Sequence, residues 1–228
     1  MRIAEQCVAE ITGTFLLVFA GTGAMMFNEL SGGAITHPGI AATFGLAVML
    51  AVFTLGRISG AHINPAVTLG FWAAGHFETK RMAPYIASQC AGAILASGLL
   101  LGLFGNQADM GATLPIAIDG QRLVYPCLAL ETLCTFILMF VILRAAVDGG
   151  EKNFTVAVVV GGTVAMLSLF AGPISGASMN PARSLGPALA SGNFTSFWIY
   201  LLGPSLGALL AVPAWRATRL AKRNPEPR

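Results

Sequence analysis

The chain has 228 residues, of which 55% are hydrophobic and only 10% charged, with a formal net charge of +3. Charged residues make up about a quarter of an ordinary soluble domain, so a globular surface in water could not be covered by the groups available. No basic stripe with interleaved aromatics is present, which excludes nucleic-acid binding and leaves a polytopic membrane protein in a lipid bilayer.

In chain order, the first apolar run occupies about 4–27. It is too long for the core of a signal peptide and shows no cleavage site, so it is expected to be a retained first span. It contains AEITGTFLLVF at 9–19, with the carboxylate of Glu10 inside it. A second span is predicted at 38–57. Next comes SGAHINPAVTLG at 59–70, where the apolar stretch Asn64–Ala73 is too short to cross a bilayer that needs about 20 residues. A third span at 82–104 closes the first half. The second half offers spans at 122–146, containing LETLCTFILMF, and at 153–171. Then SGASMNPARSLG at 175–186 opens a second short stretch, Asn180–Ala190. A last span at 195–217 leads to a basic tail, 219–228.

The halves are copies. Eight of twelve positions agree between the two Asn-Pro-Ala phrases, which lie 116 residues apart (Asn64 to Asn180), and the span alignment sets Glu10 against Glu131. A single transmembrane domain, 1–228, thus contains repeats at about 4–104 and 122–217, each reading span, span, short segment, span. Three crossings is an odd number, so the second repeat must be inverted relative to the first. With the N-terminus inside, eleven of the thirteen Lys and Arg residues fall inside; Arg122 and Arg183 do not. That bias places both termini in the cytoplasm, in a plasma membrane, or an inner membrane if the source is bacterial.

Asn is a strong helix N-cap and Pro is favoured at the first helical position, where no N–H is required. Two such starts on short segments entering from opposite faces predict half-helices that meet near the midplane, with Asn64, Pro65, Ala66, Asn180, Pro181 and Ala182 at the centre of a pore. Each helix N-terminus contributes roughly half a positive charge there, which opposes cations. If the Asn side-chain oxygen makes the cap, its NH2 is left to donate into the pore. The residues before each cap, Gly60, Ala61 and His62, then Gly176, Ala177 and Ser178, are expected to be extended and to offer carbonyls.

Arg183 corresponds to Val67 in the first phrase. An arginine within a membrane is costly, which makes it a functional candidate; the alternative is a snorkelling side chain at the outer surface. Glu10 and Glu131 admit two readings, a proton relay and structural acceptors, and their matched repeat positions favour acceptors for the backbone of each re-entrant loop. Of His37, His62 and His76, His62 is expected to border the cytoplasmic half of the pore, as lining in preference to a gate. Cys7, Cys90, Cys127 and Cys134 show no CxxC and no His partner at ligand spacing, so neither metal nor other cofactor is expected. Gly98…Gly102 and Gly203…Gly207 are expected to pack spans within one protomer. The sequons at Asn153 and Asn193 are unpersuasive glycosylation sites.

Paired NPA boxes on inverted half-helices resemble the aquaporin (major intrinsic protein) family, and the resemblance runs from Glu10 to the last span. It implies an all-α aquaporin fold of six transmembrane helices and two re-entrant half-helices, a homotetramer with one pore per subunit, and passage of water and small neutral solutes. It also implies a selectivity constriction of Phe44, Ser168, Ala177 and Arg183. Strict water channels carry histidine at the Ser168 position. Glycerol facilitators are small there but carry aspartate after the arginine, where this chain has Ser184. Tyr200 followed by Leu201 is likewise mixed. The set is most similar to plant nodulin-type intrinsic proteins and related bacterial channels, which pass polyols and metalloid hydroxides such as arsenite. A strictly water-selective pore and, more remotely, a coupled secondary transporter are the competing functions. No nucleophile, base and orienting acid converge, so an enzyme is not expected.

Overall fold

The computed structural model describes residues 2–149 and 153–223, with side chains to 219. Six helices are long and apolar enough to cross a membrane among these residues. They are α1 (Ile3–Leu30), α2 (Thr36–Ser59), α4 (Thr79–Phe104), α5 (Val124–Ile142), α6 (Asn153–Ser175) and α8 (Trp198–Arg223). The two short helices are α3 (Pro65–Ala74) and α7 (Pro181–Ser191). α5 continues into a wider π-helical segment, Leu143–Asp148. The spans read from hydropathy are therefore all present; five are longer by a few residues because polar end turns stay helical, and the fourth, expected at 122–146, runs over Val124–Asp148 with its last turns π-helical. The first residues of the expected tail are also helix, as the end of α8; residues 224–228 and Lys152 lie outside the described residues.

Within each half the first span packs on the third, α1 on α4 and α5 on α8, and the two halves meet where α2 crosses α6. Glycine makes that crossing possible. A Cβ on Gly45 would stand 2.6 Å from the Gly161 carbonyl oxygen, and a Cβ on Gly161 would stand 2.6 Å from the Gly45 carbonyl oxygen. The two glycines are again 116 residues apart, so the pseudo-twofold axis passes between them. Large apolar residues such as Leu46, Leu50, Leu95, Leu99 and Leu103 are exposed, as a lipid-facing surface requires.

One expectation needs correction. Gly98 and Gly102 face open space, with nothing within 4 Å of an added Cβ, whereas Gly203 and Gly207 do pack against α5. Small residues at four-residue spacing mark one face of a helix but do not say whether a neighbour covers it. The connection between the halves has regular structure of its own. It holds a tight turn, Ala108–Gly111, and a two-stranded hairpin, β1 (Ala117–Ile118) with β2 (Gln121–Arg122).

Candidate functional site

Both short helices begin as their sequences dictate. Asn64 is extended (φ −159°, ψ 120°) and its Oδ1 accepts from the Ala66 amide at 2.8 Å; Pro65 opens the helix without needing a donor's partner. Asn180 repeats this, accepting from Ala182 at 3.0 Å and Arg183 at 3.3 Å. The side-chain amides are not wholly free. Asn64 Nδ2 donates to the Met179 carbonyl at 2.7 Å, and Asn180 Nδ2 donates to the Ile63 carbonyl at 2.9 Å. Each amide carries two hydrogens, and one of them ties the half-helix to the opposite loop.

The loops ahead of these caps are curled, not extended. Gly60 (φ 88°), Ala61 (45°) and Ile63 (46°) in one loop match Gly176 (83°), Ala177 (42°) and Met179 (51°) in the other. Left-handed residues are unfavourable outside glycine, and both loops adopt them around a buried carboxylate. Glu10 accepts from Ser59 Oγ (2.7 Å), His62 N (2.9 Å), Ile63 N (2.7 Å) and Gln89 Nε2 (2.7 Å). Glu131 accepts from Ser175 Oγ (2.7 Å), Ser178 N (2.9 Å) and Met179 N (2.8 Å). A buried carboxylate is tolerable only when hydrogen-bonded in this way, and here the same bonds hold amides whose strained backbone has no ladder partner.

Two tyrosines complete the copies. Tyr85 Oη donates to the Ser59 carbonyl and Tyr200 Oη to the Ser175 carbonyl, both at 2.8 Å. The sequence does not single out Ser59, Ser175 or Tyr85 as loop supports, and Tyr200 enters it only as a marker of pore type. Their signal was present, since all four occupy matching places in the two repeats.

One cavity runs between the half-helices. Its lining includes Asn64, Asn180, Gly60, Ala61, His62, Ala177 and Ser178, together with Phe44, Ser168 and Arg183. Gly176 does not line it and lies instead against Thr113, while Pro65, Ala66, Pro181 and Ala182 are helix starts set behind the lining. His62 stacks on Phe71 with ring centroids 4.6 Å apart, and its Nδ1 lies 3.1 Å from Thr68 Oγ1. The walls also take in Val48, Val52, Val160 and Val164, which sequence reading left as ordinary span residues. A pore-facing valine and a core valine have the same helical spacing, so periodicity cannot separate them.

The cavity is asymmetric in chemistry though symmetric in backbone. Phe44, Ser168 and Arg183 have as their repeat counterparts Val160, Val52 and Val67, and all six line the cavity. Arg183 is 2% exposed, which excludes a side chain snorkelling to the surface. Its Nη1 donates to the Gly111 carbonyl at 2.9 Å, its Nη2 lies 3.3 Å from Met25 Sδ, and its Cζ sits 4.8 Å from the Phe44 ring centroid. The turn at Ala108–Gly111 thus supplies a partner that the sequence did not point to. A buried guanidinium and two half-helix N-termini therefore stand at one cavity, and both bring positive potential to it.

Comparison with known proteins agrees with this geometry. Residues 1–215 match the family described as Major intrinsic protein. The chain is 45% identical over 224 residues to Aquaporin NIP1-3 of Oryza sativa subsp. japonica, covering 98% of this chain and 77% of that protein. It is 42% identical over 212 residues to Nodulin-26 of Glycine max, covering 92% of this chain and 76% of that protein. The solved aquaglyceroporin from Plasmodium falciparum superposes with a TM-score of 0.87, covering 97% of this chain and 98% of that one, at 23% identity. That last likeness is one of fold.

Proposed function

The chain belongs to the major intrinsic protein family of membrane channels, and from that premise we propose that it is a passive pore for water and small uncharged solutes, with glycerol-like polyols and metalloid hydroxides such as arsenite among them. The observation that carries the solute reading is Ser168. It lines the cavity together with Arg183 and Phe44 where the pattern of strict water channels has histidine. A serine leaves more width than an imidazole and keeps one hydroxyl to exchange bonds with a polyol. Arg183, turned by Gly111 and Met25, places a full positive charge beside that width, which opposes protons and cations while neutral solutes pass.

Membership of the family makes the protein a channel and not an enzyme. The state of Glu10 and Glu131 favours a passive pore over a coupled transporter. Each carboxylate is engaged by three or more donors of its own half, so neither is left to bind a coupling ion. By the distribution of Lys and Arg, both termini lie in the cytoplasm and Arg183 stands in the outer half of a plasma membrane pore. A homotetramer with one pore per subunit is the assembly the family resemblance implies.

Proteoliposomes test the solute reading by comparing water, glycerol and arsenite flux per channel. Flux of all three above empty vesicles is expected; water flux with no glycerol or arsenite flux would leave the strictly water-selective alternative.

A further inference from the structure

Where α2 and α6 cross, each helix sends one polar side chain from its first turns to a carbonyl near the far end of the other. His37 Nε2 lies 2.7 Å from the Leu169 carbonyl oxygen, and Asn153 Nδ2 lies 2.7 Å from the Phe53 carbonyl oxygen. The two contacts are repeat copies, since His37 to Asn153 and Phe53 to Leu169 are both steps of 116 residues. Glycine makes room at each: a Cβ on Gly172 would stand 2.7 Å from His37 Cε1, and a Cβ on Gly56 would stand 2.8 Å from Asn153 Oδ1.

The copies differ in what they accept from. Residue 173 is proline, inside α6, so the Leu169 carbonyl has no amide four residues on to bond. The Phe53 carbonyl has the Arg57 amide within α2. An acceptor without a donor is most costly in lipid, and the Leu169 side chain is on the exposed face of α6. A carbonyl can only accept, so His37 holds a proton on Nε2.

We propose that His37 is a positioning residue for solute selection: its bond to the proline-freed Leu169 carbonyl draws α6 onto α2 and so fixes Ser168, the next residue back, at the constriction. His37 and Phe44 are two turns apart on one face of α2, so a single rigid helix sets two walls of the constriction against each other. Asn153 does the same mechanical work at the opposite end, where the lining is aliphatic and no filter is set. The inference rests on the reading of Ser168 as a wall of that constriction.

The test compares glycerol and water permeability per channel for five variants in proteoliposomes. His37→Ala removes the donor, and Gly172→Ala displaces the ring by adding a Cβ. Both are expected to raise the glycerol-to-water ratio about threefold, the change that follows from losing one hydrogen bond of ordinary strength. His37→Asn, the residue type used by the other repeat, is expected to restore the wild-type ratio. Asn153→Ala and Gly56→Ala are expected to leave the ratio unchanged. An unchanged ratio in folded His37→Ala and Gly172→Ala, or an equal shift in Asn153→Ala, would overturn the proposal in favour of a purely structural clasp. If the wild-type protein passes water alone, the solute reading fails separately. His37→Ala is then expected to alter water permeability about threefold with Asn153→Ala inert, and an unchanged His37→Ala, or an equal change in Asn153→Ala, would overturn the positioning role of His37 as well.

Discussion

Ser168 and Glu131 are both buried but differ in what their side chains touch. Ser168 is buried against the cavity, so its replacement is expected to act on flux more than on the fold. Ser168→His adds bulk and a second donor across from Arg183. Glycerol permeability is expected to fall at least about tenfold while water permeability falls far less, read side by side in proteoliposomes; equal loss of both would mean that another residue sets the width. Glu131 is the opposite case. It lies at 0% exposure and holds two loop amides and Ser175. Glu131→Gln turns an NH2 toward at least one of those donors and is expected to cost about 1–3 kcal/mol, seen as a lower melting temperature in detergent. Water and glycerol flux should fall together in that variant, because the loop that presents Asn180 and Ala177 loses its anchor. The pairing of Glu10 with Glu131 was legible in the sequence from repeat alignment. That their bonds fall on two consecutive amides, His62 and Ile63 or Ser178 and Met179, was not, because it depends on left-handed backbone that residue types such as alanine and isoleucine do not announce.

At the scale of elements, the half-helices and the α2–α6 crossing carry the architecture. The half-helices were readable because Asn-Pro starts a helix by local chemistry and about ten apolar residues cannot span. The crossing was not readable, since neither Gly45 nor Gly161 stands in a four-residue glycine pair. The pair at Gly98 and Gly102, which does have that spacing, meets nothing within 4 Å. Gly45→Val and Gly161→Val should be equally damaging, because each pushes a side chain into the carbonyl of the other residue. A cost of about 3 kcal/mol is expected from overpacking against backbone, with loss of a monodisperse peak in size-exclusion chromatography. Gly98→Val, on an open face of α4, should leave that peak intact. The connection 105–123 belongs to the same scale. Its turn brings the Gly111 carbonyl to Arg183, and its Ile116 amide donates to the Ile174 carbonyl at 2.8 Å. Irregular segments of this kind have no period to read, and their position is set by the helices they bridge.

For the whole molecule, one expectation follows from the hydrogen-bonded state of Glu10 and Glu131 and a second from the distribution of Lys and Arg. Solute flux is expected to depend on the solute gradient alone, unchanged by an imposed proton gradient, sodium gradient or membrane potential in vesicles. A flux that follows any of these would restore the coupled-transporter reading. The charge bias fixes the second. An epitope tag at either end of the chain should be reached by antibody only after the cell membrane is made permeable. Access to either tag in intact cells would invert the assignment of inside and outside, and with it the side on which Arg183 stands.

The sequence by itself determined the class, the six spans, the inverted repeat, the two capped half-helices and the residue, Arg183, at which the copies part. Each of these is written in local composition or in the identity of two stretches of chain, and needs no knowledge of what lies across the bundle. Only the tertiary structure decided which apolar residues wall the pore and which glycines let helices touch. It alone showed that the Asn amides tie each half-helix to the opposite loop, and where the Arg183 guanidinium is held. Those facts are distances between residues far apart in the chain, such as Asn64 to Met179 or His37 to Leu169. They come into being only when close packing of one half against the other fixes both partners at once.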